Sequence, residues 1–270
     1  MKSLVRFTAR PKLNTPNMLA SWPGVSNVSL NVATYLIKKL GFKKLAEIQA
    51  IHFFDPSGVL VRKSLIEAPQ FPKSEFYYWK SRRAGSDIIL FIGEEQPPPN
   101  KVYEMANLVL DVGIKYKMKR VYTCAAAITH MHHTEQPRVW GAVTSEPLAL
   151  ELKKYQLVQE GTLQIAGLNG LLLGIARERG IEGVCLLGEV PMYASRIPNP
   201  MAALAIIDVL SKLLEITVDT KELSEIAIEV KEKMKQAAAA AMGEYIDYFT
   251  EPIWEYGEEN NEEEDEDEEE

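Results

Sequence analysis

Two hydrophobic periods alternate along the chain. Short runs rich in β-branched and aromatic residues predict strands at 4–8, 45–54, 59–65, 76–79, 87–92, 120–125, 138–143 and 183–188. Between them, apolar residues recur at spacings of three and four and predict helices at 29–40, 101–117, 146–154, 169–179 and 201–215. The helix at 101–117 sets Val102, Met105, Ala106, Val109 and Val112 on one stripe, and the helix at 29–40 stops at Gly41. The runs "DIILFI" and "GVCLLG" are almost wholly apolar, as expected of strands covered on both faces. "GVLVRKSLIE" and "SEFYYWK" carry more polar residues and read as an antiparallel pair toward one side. Strand and helix in alternation predict an α/β fold, a mixed sheet sandwiched between helices.

The last helical segment differs. Asp219 is placed to cap it, with Glu222 as the reciprocal partner of a capping box. Leu223, Ile226, Val230, Met234, Ala237, Ala241 and Tyr245 then form one stripe, and the five alanines 237–241 favour helix. Such a helix lies along its own body or against a neighbouring subunit. Pro252 ends it, and the polar, acidic sequence beyond cannot bury enough apolar surface to fold. The organisation expected is an α/β core over 1–218, a C-terminal helix over 219–249 and a disordered acidic tail over 250–270.

Charge changes this picture only at that tail. The net charge is −8, but residues 258–270 hold 11 of the 38 acidic residues; the remaining 27 face 30 basic ones. The body is near neutral, with no basic stripe interleaved with aromatics, which argues against a nucleic-acid partner. Cys124 and Cys185 sit in apolar runs and make no disulfide framework, so a reducing cytoplasm is expected. "MKSLVRFTAR" does not read as a signal peptide, and no apolar run reaches the ~18 residues a membrane span needs.

Candidate chemistry is sparse. "GLNGLLLGIARERGI" begins with Gly167, Gly170 and Gly174, yet fits neither the Walker nor the dinucleotide spacing. It reads as a glycine-flanked Asn169 capping an apolar helix, with Gly170 and Gly174 permitting close approach to a strand. His130, His132 and His133 follow Cys124 closely, but no fourth ligand sits at a familiar spacing, so no metal or other cofactor is expected. Glu94 and Glu95 follow a strand, where open α/β sheets place ligand contacts. Glu189, Tyr193 and Arg196 follow another, with Glu189 and Arg196 suited to an ion pair. No nucleophile is found with its base. A nucleoside hydrolase or phosphorylase would use Glu94, Glu95, His130 and Glu189 around one pocket at the strand ends.

In order along the chain, "GEEQPP", "TSEPLALE", "GLNGLLLGIARERGI", "GEVPMY" and "PNPMAALAIIDVL" resemble archaeal members of the proteasome assembly chaperone 2 family, over roughly Pro23 to Leu214. The resemblance implies a fold related to the nucleoside phosphorylases and hydrolases. It also implies a homo-oligomer, a ring being one form, that binds α subunits of the 20S proteasome and catalyses nothing. Some archaeal members end in a hydrophobic-Tyr-X tripeptide that docks between α subunits. Here the sequence given ends Glu268, Glu269, Glu270, and the comparable element is internal, Ile253-Trp254-Glu255-Tyr256. The resemblance then implies a paralogue working beside a tail-bearing partner, or a tail presented differently. Ile253, Trp254 and Tyr256 are the expected partner-binding anchors, since aromatic residues dominate binding hot spots.

Overall fold

The structure is a computed structural model that describes residues 4–56, 58–81, 86–159 and 161–250. In chain order the strands are β1 (Val5–Phe7), β2 (Asn17–Ser21), β3 (Lys43–Ile48), β4 (Val61–Arg62), β5 (Leu65–Ile66), β6 (Ser74–Trp79), β7 (Ile88–Gly93), β8 (Val121–Thr129), β9 (Val139–Val143) and β10 (Gly183–Pro191). The helices are α1 (Val28–Leu40), α2 (Val102–Lys115), α3 (Glu146–Leu152), α4 (Leu168–Glu178), α5 (Pro200–Leu214) and α6 (Lys221–Thr250). Eight strands form one sheet in the order β1-β3-β6-β7-β2-β8-β10-β9. Its centre, β7-β2-β8-β10, is parallel, and antiparallel strands flank it on both sides.

Alternation along the parallel strands divides the core in two. Met18, Ala20, Ile89, Phe91, Val121, Cys185 and Leu187 face α2 and α4. Their neighbours Leu19, Ile88, Leu90, Tyr122, Cys124, Val184 and Leu186 face α1 and α5. The expected mixed sheet between helical layers is therefore what forms. The two cysteines, both free and buried, lie on opposite faces. Burial pushes the Cys185 thiol up to about 12 and the Cys124 thiol well above its usual range, so both stay protonated.

Three elements depart from the sequence pattern. No strand is expected at Asn17–Ser21, yet β2 pairs with both β7 and β8 and is buried throughout. Only three apolar residues stand between its polar ends, too few to show a period. The strand expected at 45–54 ends at Ile48 and turns into a short 3-10 helix. The strand expected at 59–65 is instead a hairpin, β4–β5, that pairs only with itself, while β6 pairs with β3 and β7. Lys63 and Ser64, with φ of 49° and 65°, turn the chain back there.

The start of α6 is also not a capping box. The Asp219 carboxylate accepts from the Lys221 N–H at 3.1 Å, but Glu222 reaches across to Lys38 and Lys39 on α1. The Tyr35 hydroxyl donates to the Asp219 carbonyl at 2.8 Å and completes the anchor. Leu223, Ala227 and Met234 are buried, whereas Ile226 is exposed, so the buried stripe is offset from the expected one. The first half of α6 lies on α5 and on the short helix Met192–Ala194. Beyond Met234, residues 235–250 extend for ~24 Å at 1.5 Å per residue.

Candidate interaction surface

The parallel strands deliver the loops expected to carry function to one end of the sheet, beyond Ser21, Gly93, Thr129 and Pro191. The glycine turn lies here, and it is a brace. Gly167, with φ of 71°, starts α4 in a conformation suited to glycine. The Gln96 side chain then ties two loops: its amide donates to the Pro23 carbonyl at 2.8 Å, and its oxygen accepts from the Leu168 N–H at 3.1 Å. Asn169 does not cap the helix. It is buried, accepts from the Trp22 N–H and donates to the Trp22 carbonyl, both at 3.2 Å. Ser29 donates to the same Asn169 oxygen at 3.4 Å and shares a 2.8 Å bond with Ser21. A Cβ on Gly170 would sit 2.2 Å from the Ile165 carbonyl oxygen, so the close approach there is to the preceding loop. Gly174 faces open space, contrary to its expected packing role.

Above this brace is a cleft of about 240 Å³, between the loops that follow β2 and precede α4 and the last turns of β8. Its floor holds Ser29, Ala125 and Asn169. Its rim is aliphatic: Val25, Ile128 and Leu163 are 42%, 47% and 40% exposed. Met192, also exposed, follows β10 at the same end. A wider groove lies at the opposite end of the sheet, between the C-terminus of α1 and Trp79. Of its lysines, Lys39 is already paired with Asp219 and Glu222.

The structure does not gather the four residues of the nucleoside-enzyme expectation. Glu94 is exposed and accepts from the Lys73 N–H at 2.8 Å; Glu95 is exposed beside it. His130 is exposed at the end of β8. Glu189 is buried, and its partner is Arg138, not Arg196: it accepts from the Arg138 guanidinium at 2.8 Å, the Arg138 N–H at 3.1 Å and the Trp140 indole at 3.0 Å. Burial pushes the Glu189 carboxyl up, but these hydrogen bonds outweigh it and hold the group below its usual range. Two strands separate β7 from β10, which puts Glu94 and Glu189 on the order of 14 Å apart at ~4.8 Å per strand.

The histidine loop packs against α6. The His133 N–H donates to the Tyr193 hydroxyl at 2.8 Å, and its ring nitrogen shares a bond with the same hydroxyl. Burial first, then the neighbouring His132, Lys231 and Lys235, hold His133 below the usual histidine range. No group of three or more metal-ligating side chains occurs among the described residues. Ile253, Trp254 and Tyr256 lie outside the described residues, as does the acidic tail. What sequence reasoning missed is the brace itself. Trp22, outside every expected strand and helix, is wholly buried with its ring tilted against Phe91, centroids 4.8 Å apart, and nothing in the local pattern marks that.

An α/β body with a braced carboxyl end, an aliphatic cleft and a long final helix defines the class. The chain belongs to the PAC2 family, whose model matches residues 18–238. An uncharacterised protein of Methanocaldococcus jannaschii is 30% identical over 211 residues, 77% of each chain. Among solved structures, Pyrococcus furiosus PbaB, described as an archaeal proteasome activator, is 32% identical. It aligns with a TM-score of 0.74 over 87% of this chain and 98% of its own. Pyrococcus furiosus PbaA, described as an archaeal homolog of proteasome-assembly chaperone, shares the fold at 24% identity and a TM-score of 0.66, over 88% and 99% of the two chains. Among the described residues, no helix is long and apolar enough to cross a membrane.

Proposed function

We propose that the protein is a proteasome assembly chaperone-like factor of the cytoplasm. It binds α subunits of the 20S proteasome, or their assembly intermediates, as a homo-oligomeric scaffold. The observation that carries the proteasome as partner is the 32% identity to PbaB over 98% of that chain, within a family match that spans most of this one; the assembly role follows the likeness to PbaA, described as an archaeal homolog of proteasome-assembly chaperone. The carboxyl end of the sheet supports it physically. Exposed aliphatic side chains ring a shallow cleft there, a composition suited to protein contact. α6 runs toward the same end, and the segment with Ile253, Trp254 and Tyr256, the proposed anchors, follows it in the sequence. The acidic run beyond them adds long-range steering toward basic surfaces. Function on this account is binding, without turnover of a small molecule.

The description of PbaB as an activator favours a second reading, in which the finished 20S particle is the client. One experiment separates the two. The immobilised protein is offered isolated archaeal α subunits and, separately, assembled 20S particles. The assembly reading expects capture of the isolated subunits, weakened when 252–270 are deleted. Capture of assembled particles alone, with faster peptide hydrolysis, would establish the activator reading. No capture of either, together with saturable binding of purine nucleosides, would overturn both.

A further inference from the structure

The histidine loop joins β8 to β9 and meets α6 beside the short helix Met192–Ala194. His133 lies at its centre and is only 8% exposed. The Tyr193 hydroxyl accepts from the His133 N–H at 2.8 Å and lies 2.8 Å from the ring Nδ1 as well. A hydroxyl that already accepts the N–H has its own proton to give. Nδ1 therefore accepts it, and the neutral ring carries its hydrogen on Nε2. Other charged and titratable groups face this ring from the elements around it. His132 of the same loop lies beside it, ring centroids 4.0 Å apart. Its own Nδ1 bonds Thr134 at 2.7 Å, and Glu135 accepts from its N–H at 3.2 Å. From α6 come Lys231, Lys235 and Glu232, and Glu232 pairs with Lys235 at 3.7 Å. Lys231 also reaches the Thr134 carbonyl at 3.5 Å, which ties loop and helix directly.

We infer that this loop is a proton-operated latch on α6: neutral His133 holds it against Tyr193 beside Lys231 and Lys235, and a proton on the ring releases it. Protonation adds a hydrogen at Nδ1. The Tyr193 hydroxyl then faces two donors, and its own proton must turn to solvent. The imidazolium also stands beside His132 and two ammonium groups, and the carboxylate of Glu232 is already engaged by Lys235. An undocked histidine protonates near 6.5, and docked His133 does so at lower pH, chiefly because it is desolvated. Docking is therefore complete above pH 6.5. It weakens as pH falls toward the docked value, below which the loss levels off. Solvent screens the exposed Lys235, which keeps the response to a few-fold. Lys231 and Lys235 bracket the buried Met234, where α6 leaves the body, so the latch sets how firmly the 235–250 extension is held. The latch works in the same way whatever the client is.

The test is hydrogen exchange of the full chain, read by mass spectrometry over a series from about pH 7.5 to about pH 4.5 and corrected for the intrinsic pH dependence of exchange. Segments 130–137 and 224–236 are expected to lose protection by at least about threefold across the series, while the central strands 88–93 and 183–191 keep theirs. His133→Gln takes no proton but keeps an acceptor for the Tyr193 hydroxyl, and its protection is expected to be flat with pH. If that variant fails to fold or to dock its loop, the wild type decides. Its loss must then begin near 6.5 and level off where the His133 ring itself titrates, followed by NMR of the four histidine rings. A loss that levels off with another histidine, or with none, overturns the inference. Unchanged protection in the wild type overturns it, as does an equal acid response in docked His133→Gln. Loss of protection by the central strands in step with the loop also overturns it, since acid would then be unfolding the whole body.

Discussion

β7 and the β4–β5 hairpin both carry runs of aliphatic residues and meet opposite fates. "IILFIG" is buried between two helical layers, while "VLVRKSLI" stands in solvent on both faces. The difference arises from neighbours. β7 is flanked by β6 and β2, and Phe91 lies between Trp22 and Phe76 with ring centroids 4.8 Å from each. The hairpin is interrupted after two residues by its own turn, too short to extend the sheet. Aliphatic chemistry alone therefore fixes neither burial nor role. In β7 it stabilises the fold; in the hairpin it stays exposed to solvent.

Mutations of the two regions should separate along that line. Phe91→Ala is expected to cost the most, about 3–5 kcal/mol, because it empties a site enclosed by two aromatic rings. Chemical denaturation would measure it, and a loss below about 1 kcal/mol would show that the aromatic cluster is not holding the sheet.

Asn169→Ala comes next. It leaves the buried Trp22 N–H without its acceptor, an expected loss of about 1–3 kcal/mol by the same measurement. A neutral result would mean that the loops at the carboxyl end are held without this brace.

Glu189→Gln tests the ion pair beside the cleft by its pH dependence. The folded carboxyl titrates below the ordinary 4.5, so its contribution is complete above that pH and is lost as pH falls through the lower folded value. The gap between wild type and variant should be roughly constant, about 1–3 kcal/mol, at pH 6–7 and shrink below pH 4.5. Denaturation curves at several pH values decide it; a gap that does not narrow in acid would contradict the pairing.

The smallest change is expected in the hairpin. Leu65→Ser should alter stability by no more than about 0.5 kcal/mol, as for exposed positions in general. A core-sized loss would mean that the hairpin is buried against its own body and would end the comparison.

The sequence announced the layers better than the joints. Ile88–Gly93 and Gly183–Pro191 are legible as central strands because burial on both faces leaves an unbroken apolar run. β2 is equally central but illegible, since Met18, Leu19 and Ala20 are too short a run to declare a period. The cleft was not legible either. Its floor joins Ser29, Ala125 and Asn169, residues far apart in sequence that long-range packing brings together. Ordinary residue types mislead in the same way: Glu189 in "GEVPMY" reads as a partner for the nearby Arg196, yet two residues of β9 and its approach, Arg138 and Trp140, occupy it. The family resemblance was carried by motifs in order; "TSEPLALE" lies at the opposite end, beside the start of β10, and the other four begin at the carboxyl end, where Gln96 and Asn169 tie segments together.

The claim that this molecule works by holding proteasome subunits is tested most directly by mixing the purified chain with isolated archaeal α subunits and following the mass of the mixture by light scattering. The account predicts a stable complex heavier than either component, weakened at least tenfold by Val25→Asp with Ile128→Asp at the rim of the cleft or by removal of residues 252–270. A mixture that remains the sum of its separate components at micromolar concentration would contradict it.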